Sequence, residues 1–385
     1  MKICVYAICK NEIKFVDKWL DSMQEADYIC VLDTGSTDGT YKKLKDDSRV
    51  TSVKKEIIKP WRFDVARNES MKLVPEDADV LVCTDLDEVF ESGWADAIRA
   101  NWKPDTNRMF YSYAWSHNDL GEPQDVFKYD KIHSRDYHWV YPVHEVLAIN
   151  EGTIQNAVDV GDSIFLHHWP DKSKPRGYYM DLLKLSCEEH PTDSHVQMLY
   201  ARELLIQDKW EEGLAEFLKT LKMPDIENPD KKLVLLNSLF QVAEIYQKLQ
   251  NYDEALWYCQ EFIKEDYTYR EPYLLMAELY NQMKMPTLAY SCVEAAQKFA
   301  FRHNDWVERA TTWLGWMYDI RSVSEDMLGL VDEALKDLGK ALAHEPNDAR
   351  LLKNENILLK KKLSQASARP QSEGVVDIND ISIVQ

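Results

Sequence analysis

The sequence has little of three things that define common protein classes: long apolar runs, paired cysteines and an excess of basic residues. No apolar run approaches the roughly 20 residues of a membrane-spanning helix, and residues 1–5 lack a signal-peptide pattern. The seven cysteines include no Cys-x-x-Cys pair and no zinc-like cluster, which favours free thiols in a reducing cytoplasm. A formal net charge of −20 argues against a nucleic-acid-binding protein, because such a protein needs a basic surface.

The first 176 of the 385 residues alternate between strand-like and helix-like patterns. Apolar runs predict strands at residues 3–8, 28–32, 50–58 and 80–83, and helical spacing lies between them. This alternation predicts a mainly parallel α/β sheet. Shorter aromatic strand-like pieces continue to residue 168, and we assign them to the second half of the same domain.

The second half, residues 177–363, has only helical patterns, and it contains a repeated five-residue motif. The copies are Trp210–Leu214, Tyr252–Leu256, a degenerate Met285–Ala289, and Val331–Leu335. Ala255 and Ala289 lie 34 positions apart (289 − 255), the period of a tetratricopeptide helix pair. The other spacings are larger, so insertions must lie between the pairs. The alternative is a non-repeating helical bundle. Residues 364–385 are predicted to be a flexible tail.

Three acids follow the predicted strand Val80–Cys83 directly: Asp85, Asp87 and Glu88. Ligands of α/β proteins gather where strands end, and on an extended backbone Asp85 and Asp87 would share one face. Two such carboxylates repel each other unless a cation lies between them, and oxygen ligands suit Mg²⁺ or Mn²⁺. The alternative is a solvated acidic turn.

Several motifs together resemble the family 2 nucleotide-sugar glycosyltransferases, which have the GT-A fold, a Rossmann-like mixed sheet. Their order is similar to that of the branch with a C-terminal tetratricopeptide-like domain, which includes the bacteriocin S-glycosyltransferases. The resemblance covers residues 1–176 closely and the helical half in architecture. The motifs are Lys10–Glu12, Asp33–Thr40, Phe63–Ser70, Asp85–Glu88, Val143–Glu145 and His167–His168.

The resemblance implies a role for each donor-side residue. Asp33 would hold a uracil-type base, Arg67 would contact the nucleotide, and Asp85 would lie between the ribose and the metal. Asp87 would bind the metal directly, and His167 would complete its coordination or touch the diphosphate. The simpler readings are a turn-forming Asp33, a surface ion pair for Arg67 and a core histidine at His167.

Two further expectations concern the region around the late histidines. His168 is one step out of phase with His167 on a strand, so we expect it to face away from the site. Lys172 and Arg176 follow in a proline-bounded loop and could close over the leaving phosphates, although a solvated basic loop is the simpler reading.

The predicted general base is Glu145, in a strand-like piece over residues 141–147. A carboxylate on an otherwise apolar face is costly to bury and needs a partner or a task. The family's catalytic carboxylate falls in this region, although its usual local pattern is Glu-Asp. His144 is therefore the rival base, and an ion pair of Glu145 with Arg135 or Lys131 is the structural alternative.

These observations predict a metal-dependent glycosyltransferase that uses Mn²⁺ or Mg²⁺ and a nucleotide-diphosphate sugar, with UDP as the expected nucleotide. The acceptor would be a hydroxyl or thiol of a peptide, protein or glycan, bound partly by the helical repeats, and the family implies inversion. A second hypothesis is a repeat-based peptide- or glycan-binding protein with a vestigial catalytic half. A nucleotidyltransferase is disfavoured because residues 7–12 contain no Gly- and Arg-rich loop. The sequence leaves the sugar, the acceptor and the oligomeric state open.

Overall fold

The computed structural model describes residues 1–118, 120–171, 177 and 179–368. The chain forms two compact units. The first is Met1–Tyr267 with Phe301–Ala310, and the second is Thr268–Ala300 with Thr311–Gln385, described to residue 368. The predicted division at residue 176 lies inside the first unit, because helices beyond it pack in the same unit as the sheet.

Eleven strands lie in the described part of the first unit. They are β1 (Ile3–Cys9), β2 (Tyr28–Asp33), β3 (Ser52–Lys55), β4 (Val80–Cys83), β5 (Glu88–Phe90), β6 (Arg108–Ala114), β7 (Val126–His133), β8 (Tyr137–Val140), β9 (Val146–Ile149), β10 (Ala157–Asp159) and β11 (Phe165–His168). The apolar runs that predicted β1, β2 and β4 agree with these bounds to within one residue.

Nine of these strands form a mixed sheet with the order β3-β2-β1-β4-β7-β6-β11-β5, and β10 pairs with β6. Strands β3, β2, β1 and β4 are parallel neighbours, as predicted for the N-terminal part. Beyond β4 the sheet is mixed, because β7 and β5 run antiparallel to their neighbours. Strands β8 and β9 form a separate antiparallel pair. The predicted mainly parallel sheet is therefore correct for its first four strands.

The alternation of side chains along β1 divides the core of the sheet between its two faces. Ile3, Val5 and Ala7 lie in one buried cluster with Trp19, whereas Cys4 and Tyr6 lie in a second cluster on the other face. Both clusters are fully buried around these residues. Full burial of a Val or Ile side chain contributes about 1.5–3 kcal/mol to the free energy of folding. The sheet is thus covered on both faces, and its strand ends remain to carry polar groups.

Fourteen α-helices lie in the described residues. They are α1 (Val16–Met23), α2 (Thr40–Asp46), α3 (Phe63–Met71), α4 (Trp94–Asn101), α5 (Tyr179–Glu189), α6 (Ser194–Ile206), α7 (Trp210–Thr220), α8 (Lys232–Lys248), α9 (Tyr252–Glu265), α10 (Glu271–Gln282), α11 (Pro286–Gln297), α12 (Gly315–Met327), α13 (Val331–His344) and α14 (Ala349–Ala368). Helix α14 continues five residues beyond the predicted start of the tail, and the rest of the tail lies outside the described residues.

The repeated motif marks the start of the second helix in each of four pairs, α6 with α7, α8 with α9, α10 with α11, and α12 with α13. The small residues of the motif, Gly213, Ala255, Ala289 and Ala334, are all buried. A methyl group added to Gly213 would lie 2.5 Å from the side chain of Leu205 and 3.4 Å from the backbone carbonyl oxygen of Ala201, so the two helices leave little room there. The helical part is therefore tetratricopeptide-like. The predicted insertion after α7 corresponds to two short 3₁₀ helices, Pro224–Glu227 and Pro229–Lys231.

The seven cysteines are free thiols, and Cys4, Cys30 and Cys83 are fully buried in the sheet. They pack as small apolar side chains, as the sequence predicts. No helix within the described residues combines the length and the apolar character needed to cross a membrane.

A buried group of charges lies in the second unit around Arg321. Its guanidinium pairs with Asp337, and its Nε lies 3.9 Å from Oε1 of Glu325. Glu325 is 4% exposed, and its Oε2 has no hydrogen-bond partner among the described residues. Burial and the charge of Asp337 outweigh Arg321 and raise the pKa of Glu325 to about 7.

Replacing Glu325 with Gln is expected to stabilise the protein at alkaline pH. An acid whose pKa rises on folding, here from 4.5 to about 7, opposes folding as pH increases through that range, and the cost is complete above pH 7. We expect Glu325→Gln to raise the free energy of unfolding by about 1–3 kcal/mol at pH 8 and to leave it unchanged near pH 4. Denaturant unfolding at both pH values measures this, with the exposed Glu345→Gln as control. An equal effect at both pH values would contradict the expectation.

Candidate active site

The loops that follow β1 and β2 are tied together by side-chain hydrogen bonds. Thr37 donates its amide to Oδ1 of Asn11 at 2.7 Å, and the amide of Asn11 donates to the hydroxyl of Ser36 at 2.8 Å. The amide of Glu12 donates to the hydroxyl of Thr40 at 2.9 Å. Because β1 and β2 are parallel neighbours, their carboxyl ends bring these two motifs to one edge of the sheet.

Asp33 ends β2 and holds the turn that follows it. Its Oδ1 accepts the amides of Gly35 and Ser36 at 2.9 and 2.8 Å, and the residue is fully buried. These contacts match the turn-forming reading, and the contact with a nucleotide base stays a prediction. Asp38 is also structural, since its carboxylate accepts the amide and the hydroxyl of Thr40.

The acids after β4 lie in a turn, so the prediction that Asp85 and Asp87 share the face of an extended strand is wrong. The amide of Glu88 donates to the carbonyl of Asp85 at 3.1 Å, and Oε2 of Glu88 accepts the amide of Asp85 at 2.9 Å. Glu88 is 1% exposed and also accepts the hydroxyl of Tyr113. Burial raises the pKa of Glu88. This acid therefore shapes the turn that presents the other two.

A buried arginine joins two of the predicted site residues. Arg67, on α3, is 3% exposed; it donates to Asp85 at 2.9 and 3.1 Å and to Oε1 of Glu145 at 2.6 Å. Nζ of Lys131 lies 3.7 Å from Asp85. Although burial opposes ionisation, Arg67 and Lys131 hold the pKa of Asp85 well below its usual range. The ion pair expected for Glu145 exists, but its partner is Arg67, because the turn after β8 brings Glu145 to α3.

Glu145 lies in a turn and not in the predicted strand, since β9 begins at Val146. Tyr141 and His144 have positive φ values of 76° and 52°, which interrupt an extended backbone. The side chain of Glu145 is 10% exposed, and its Oε2 has no hydrogen-bond partner among the described residues. The ring of His144 lies 5.8 Å from that of Tyr179. One carboxylate oxygen of Glu145 is thus fixed by Arg67 while the other is available.

The structure reverses the predicted orientation of the two late histidines. Nε2 of His168 lies 3.6 Å from Oδ2 of Asp87, and both side chains are 12% exposed. His167 instead contacts Glu91 through Nε2 at 3.0 Å and His117 through Nδ1 at 2.9 Å. Neighbouring residues of a strand face opposite sides, and the pairing of β11 with β5 decides which histidine meets the acidic turn.

The pair of Asp87 and His168 has the chemistry of a divalent-cation site with few protein ligands. The described residues contain no group of three or more histidines, cysteines and acids that could hold a metal ion. A carboxylate and an imidazole fit Mn²⁺ better than Mg²⁺, which prefers oxygen ligands alone. Although burial opposes the charged form, Asp87 raises the pKa of His168. A cation here would have to displace the proton of His168 and take its remaining ligands from a substrate, so metal binding at this pair stays a prediction.

Aromatic side chains form a column behind His168. The ring centroids of Tyr129 and Tyr113 lie 4.3 Å apart, and those of Tyr113 and His168 lie 6.1 Å apart. The column ends at Trp115, whose ring centroid lies 4.7 Å from that of His168. Tyr113 is buried, whereas Trp115 is 50% exposed. The column therefore runs from the core of the sheet to an exposed indole next to the Asp87–His168 pair.

The sequence did not place three residues in this site: Trp115 was not named, Lys131 was named only as a possible partner of Glu145, and His168 was predicted to face away. Lys131 could have been placed there, since it shares a face of β7 with Tyr129 and His133. The positions of the other two depend on strand pairing, which the sequence alone did not reveal. Lys172 and Arg176, predicted to contact phosphates, lie outside the described residues.

No protein-family model matches this chain, and no curated protein is significantly similar to it. Solved structures similar to it include tetratricopeptide-repeat proteins. A MamA fragment from Desulfovibrio magneticus RS-1 is 13% identical over 45% of this chain and 88% of its own, with a TM-score of 0.36. The first such domain of human RPAP3 is 19% identical over 36% of this chain and 99% of its own (TM-score 0.31). A protein from Parabacteroides merdae is 16% identical over 49% and 67% (TM-score 0.37). These likenesses concern the helical part.

Proposed function

We propose that this protein is a metal-dependent glycosyltransferase that moves a sugar from a nucleotide-diphosphate donor to an acceptor hydroxyl or thiol. The observation that carries the proposal is the turn after β4, where Asp87 meets His168 and Asp85 meets Arg67. Loops from β1 and β2 lie at the carboxyl ends of neighbouring strands, which is where α/β sheets bind ligands. The mixed sheet and the order of these motifs support a GT-A fold.

Asp87 and His168 would hold the cation, and the donor set favours Mn²⁺. When bound, the cation supplies charge neutralisation of a departing diphosphate. A cation is needed at this edge because the anionic donor must bind among several carboxylates in a chain of net charge −20. Asp85, with both oxygens facing cationic side chains, fixes the turn and Arg67 in place.

Glu145 is the proposed general base, with His144 as the rival. Arg67 fixes Oε1 of Glu145, so that Oε2 can accept the proton of an acceptor hydroxyl or thiol. The same guanidinium contacts Asp85 on the donor side, which aligns the base with the donor. If Glu145 deprotonates the acceptor, the acceptor can displace the nucleotide directly, and direct displacement inverts the configuration at the anomeric carbon. We further propose a UDP-sugar donor and a reducing compartment, the latter supported by seven free thiols.

The proposed function is tested by a donor screen with the full chain. UDP-, GDP- and TDP-sugars are incubated with Mn²⁺, and the released nucleotide is measured. Isothermal titration with UDP, with and without Mn²⁺, measures binding independently of turnover. We expect metal-dependent binding and slow release from one class of donor. Absence of both would overturn the proposal.

Replacing His168 with Ala is expected to weaken Mn²⁺-dependent UDP binding by about 10–100-fold, because one of two protein ligands is lost. His167→Ala is the matched control, since His167 lies next in sequence but faces Glu91. Titration calorimetry at several Mn²⁺ concentrations measures the effect. A larger loss in His167→Ala than in His168→Ala would restore the ligand assignment made from the sequence.

A second candidate is a repeat-based binding protein whose sheet domain is vestigial. Its support is the four helix pairs, since tetratricopeptide-like repeats commonly bind peptides or proteins. The same titrations separate the two candidates. No metal-dependent nucleotide binding, together with binding of a peptide, would favour the repeat-based protein.

A further inference from the structure

We propose that the exposed face of Trp115 is a platform on which a pyranose ring of a neutral saccharide acceptor stacks. This inference names the class of acceptor. The role of the platform in catalysis rests on the proposed function. Trp115 lies at the exposed end of the aromatic column, where β6 ends and the hairpin to β7 begins.

The indole of Trp115 contacts a neighbouring ring, yet a large part of it is exposed. The ring centroid of His168 lies 4.7 Å from that of the indole, and Trp115 is 50% exposed. What distinguishes Trp115 from other exposed aromatic side chains, such as Trp257, is its position beside the candidate site. The exposed indole is next to His168, which in turn contacts Asp87, so a ring stacked on it lies beside the proposed donor site.

The backbone of Trp115 is held by contacts at its amide and at its carbonyl. Its amide donates to the carbonyl of Asp125 at 2.8 Å, and its carbonyl contacts Nδ1 of His168 at 3.3 Å. Both ends of the residue are thus held by the β6–β7 pairing and by β11. A ligand that stacks on the indole therefore meets a segment whose backbone is already ordered, which lowers the entropic cost of binding.

The surroundings of Trp115 favour a neutral saccharide over a peptide or an anionic acceptor. Residues 116–125 contain three acids and no lysine or arginine, which favours a neutral acceptor over an anionic one. A peptide anchor residue usually fills a desolvated apolar pocket. Beyond Trp115 the hairpin instead offers polar groups, with Asn118 hydrogen-bonded to Glu122 and Ser116 to Asp125. A flat indole edged by polar groups matches a pyranose, which has an apolar C–H face and a rim of hydroxyls.

Saturation-transfer NMR on the full chain tests the platform without needing a donor or turnover. The probes are methyl β-glucoside, lactose and N,N′-diacetylchitobiose, with glucose 6-phosphate as an anionic comparison and a Gly/Ser peptide as a non-saccharide comparison. We expect at least one neutral saccharide to bind. Trp115→Ala should weaken that binding by about tenfold and Trp115→Phe by less, since Phe keeps an aromatic face. Trp257→Ala is the matched control, because Trp257 is 48% exposed on α9.

The outcomes separate this inference from the proposed function. Equal binding to the wild type and Trp115→Ala, no binding of any neutral saccharide, or preference for the peptide would overturn the platform. If the donor screen finds an active donor, transfer to the bound saccharide should show an acceptor KM that rises about tenfold in Trp115→Ala, with a smaller change in donor KM. An inactive donor screen with Trp115-dependent saccharide binding would overturn the transferase and keep the platform.

Discussion

Asp87→Asn is expected to abolish sugar transfer and to weaken Mn²⁺-dependent UDP binding by about 100-fold or more, because a charged ligand of a divalent cation becomes neutral. The fold should remain intact. The contact that the Asp87 side chain makes with His168 is 3.6 Å long, and the hydrogen bond of Asp87 to Trp169 uses the backbone carbonyl. Nucleotide release, titration calorimetry and denaturant unfolding measure the three quantities.

The control for Asp87→Asn is Asp96→Asn, which removes the same charge from an exposed residue of α4. It should leave UDP binding unchanged. An Asp87→Asn protein that binds Mn²⁺ and turns over like the wild type would contradict the metal assignment.

Glu145→Gln is expected to reduce turnover by about 10²–10⁴ while donor affinity stays near normal. The amide oxygen of Gln can still accept the hydrogen bond from Nε of Arg67, so the geometry is retained and only the basic oxygen is lost. Steady-state kinetics and UDP titration measure the two effects. The exposed Glu151→Gln is the charge-matched control.

Two results would reassign the role of Glu145. Loss of donor binding together with turnover would make it a positioning residue that acts through Arg67 and Asp85. Unchanged turnover in Glu145→Gln, combined with inactive His144→Asn, would move the base to His144. Asn is the suitable replacement because it tolerates the positive φ of His144.

The elements that could be predicted from the sequence are those determined by local pattern. The buried runs of β1, β2 and β4 appear where the apolar residues are, and the repeated motif marks the start of four helices. A domain boundary is not local in this sense. Val143 packs with Leu183 and Met198 in one buried cluster, so a chain cut at residue 176 would expose that cluster.

The candidate site was predictable as a set of residues and much less so as a set of contacts. Asp85, Asp87, Arg67 and Glu145 were all named, yet the buried ion pairs of Arg67 depend on a turn after β8 that no period-2 pattern reveals. The choice between His167 and His168 failed for a related reason. Side-chain phase at the end of a strand is set by its neighbours in the sheet, here β5 and β6.

The hydrogen bonds that join the loops after β1 and β2 order this part of the protein before a ligand binds. The amides of Gly35, Ser36 and Thr37 all donate to side chains, so the backbone donors of this glycine-containing loop are satisfied within the protein. Its ordering takes place during folding and does not have to accompany binding. This edge of the sheet therefore presents a preformed surface to a ligand.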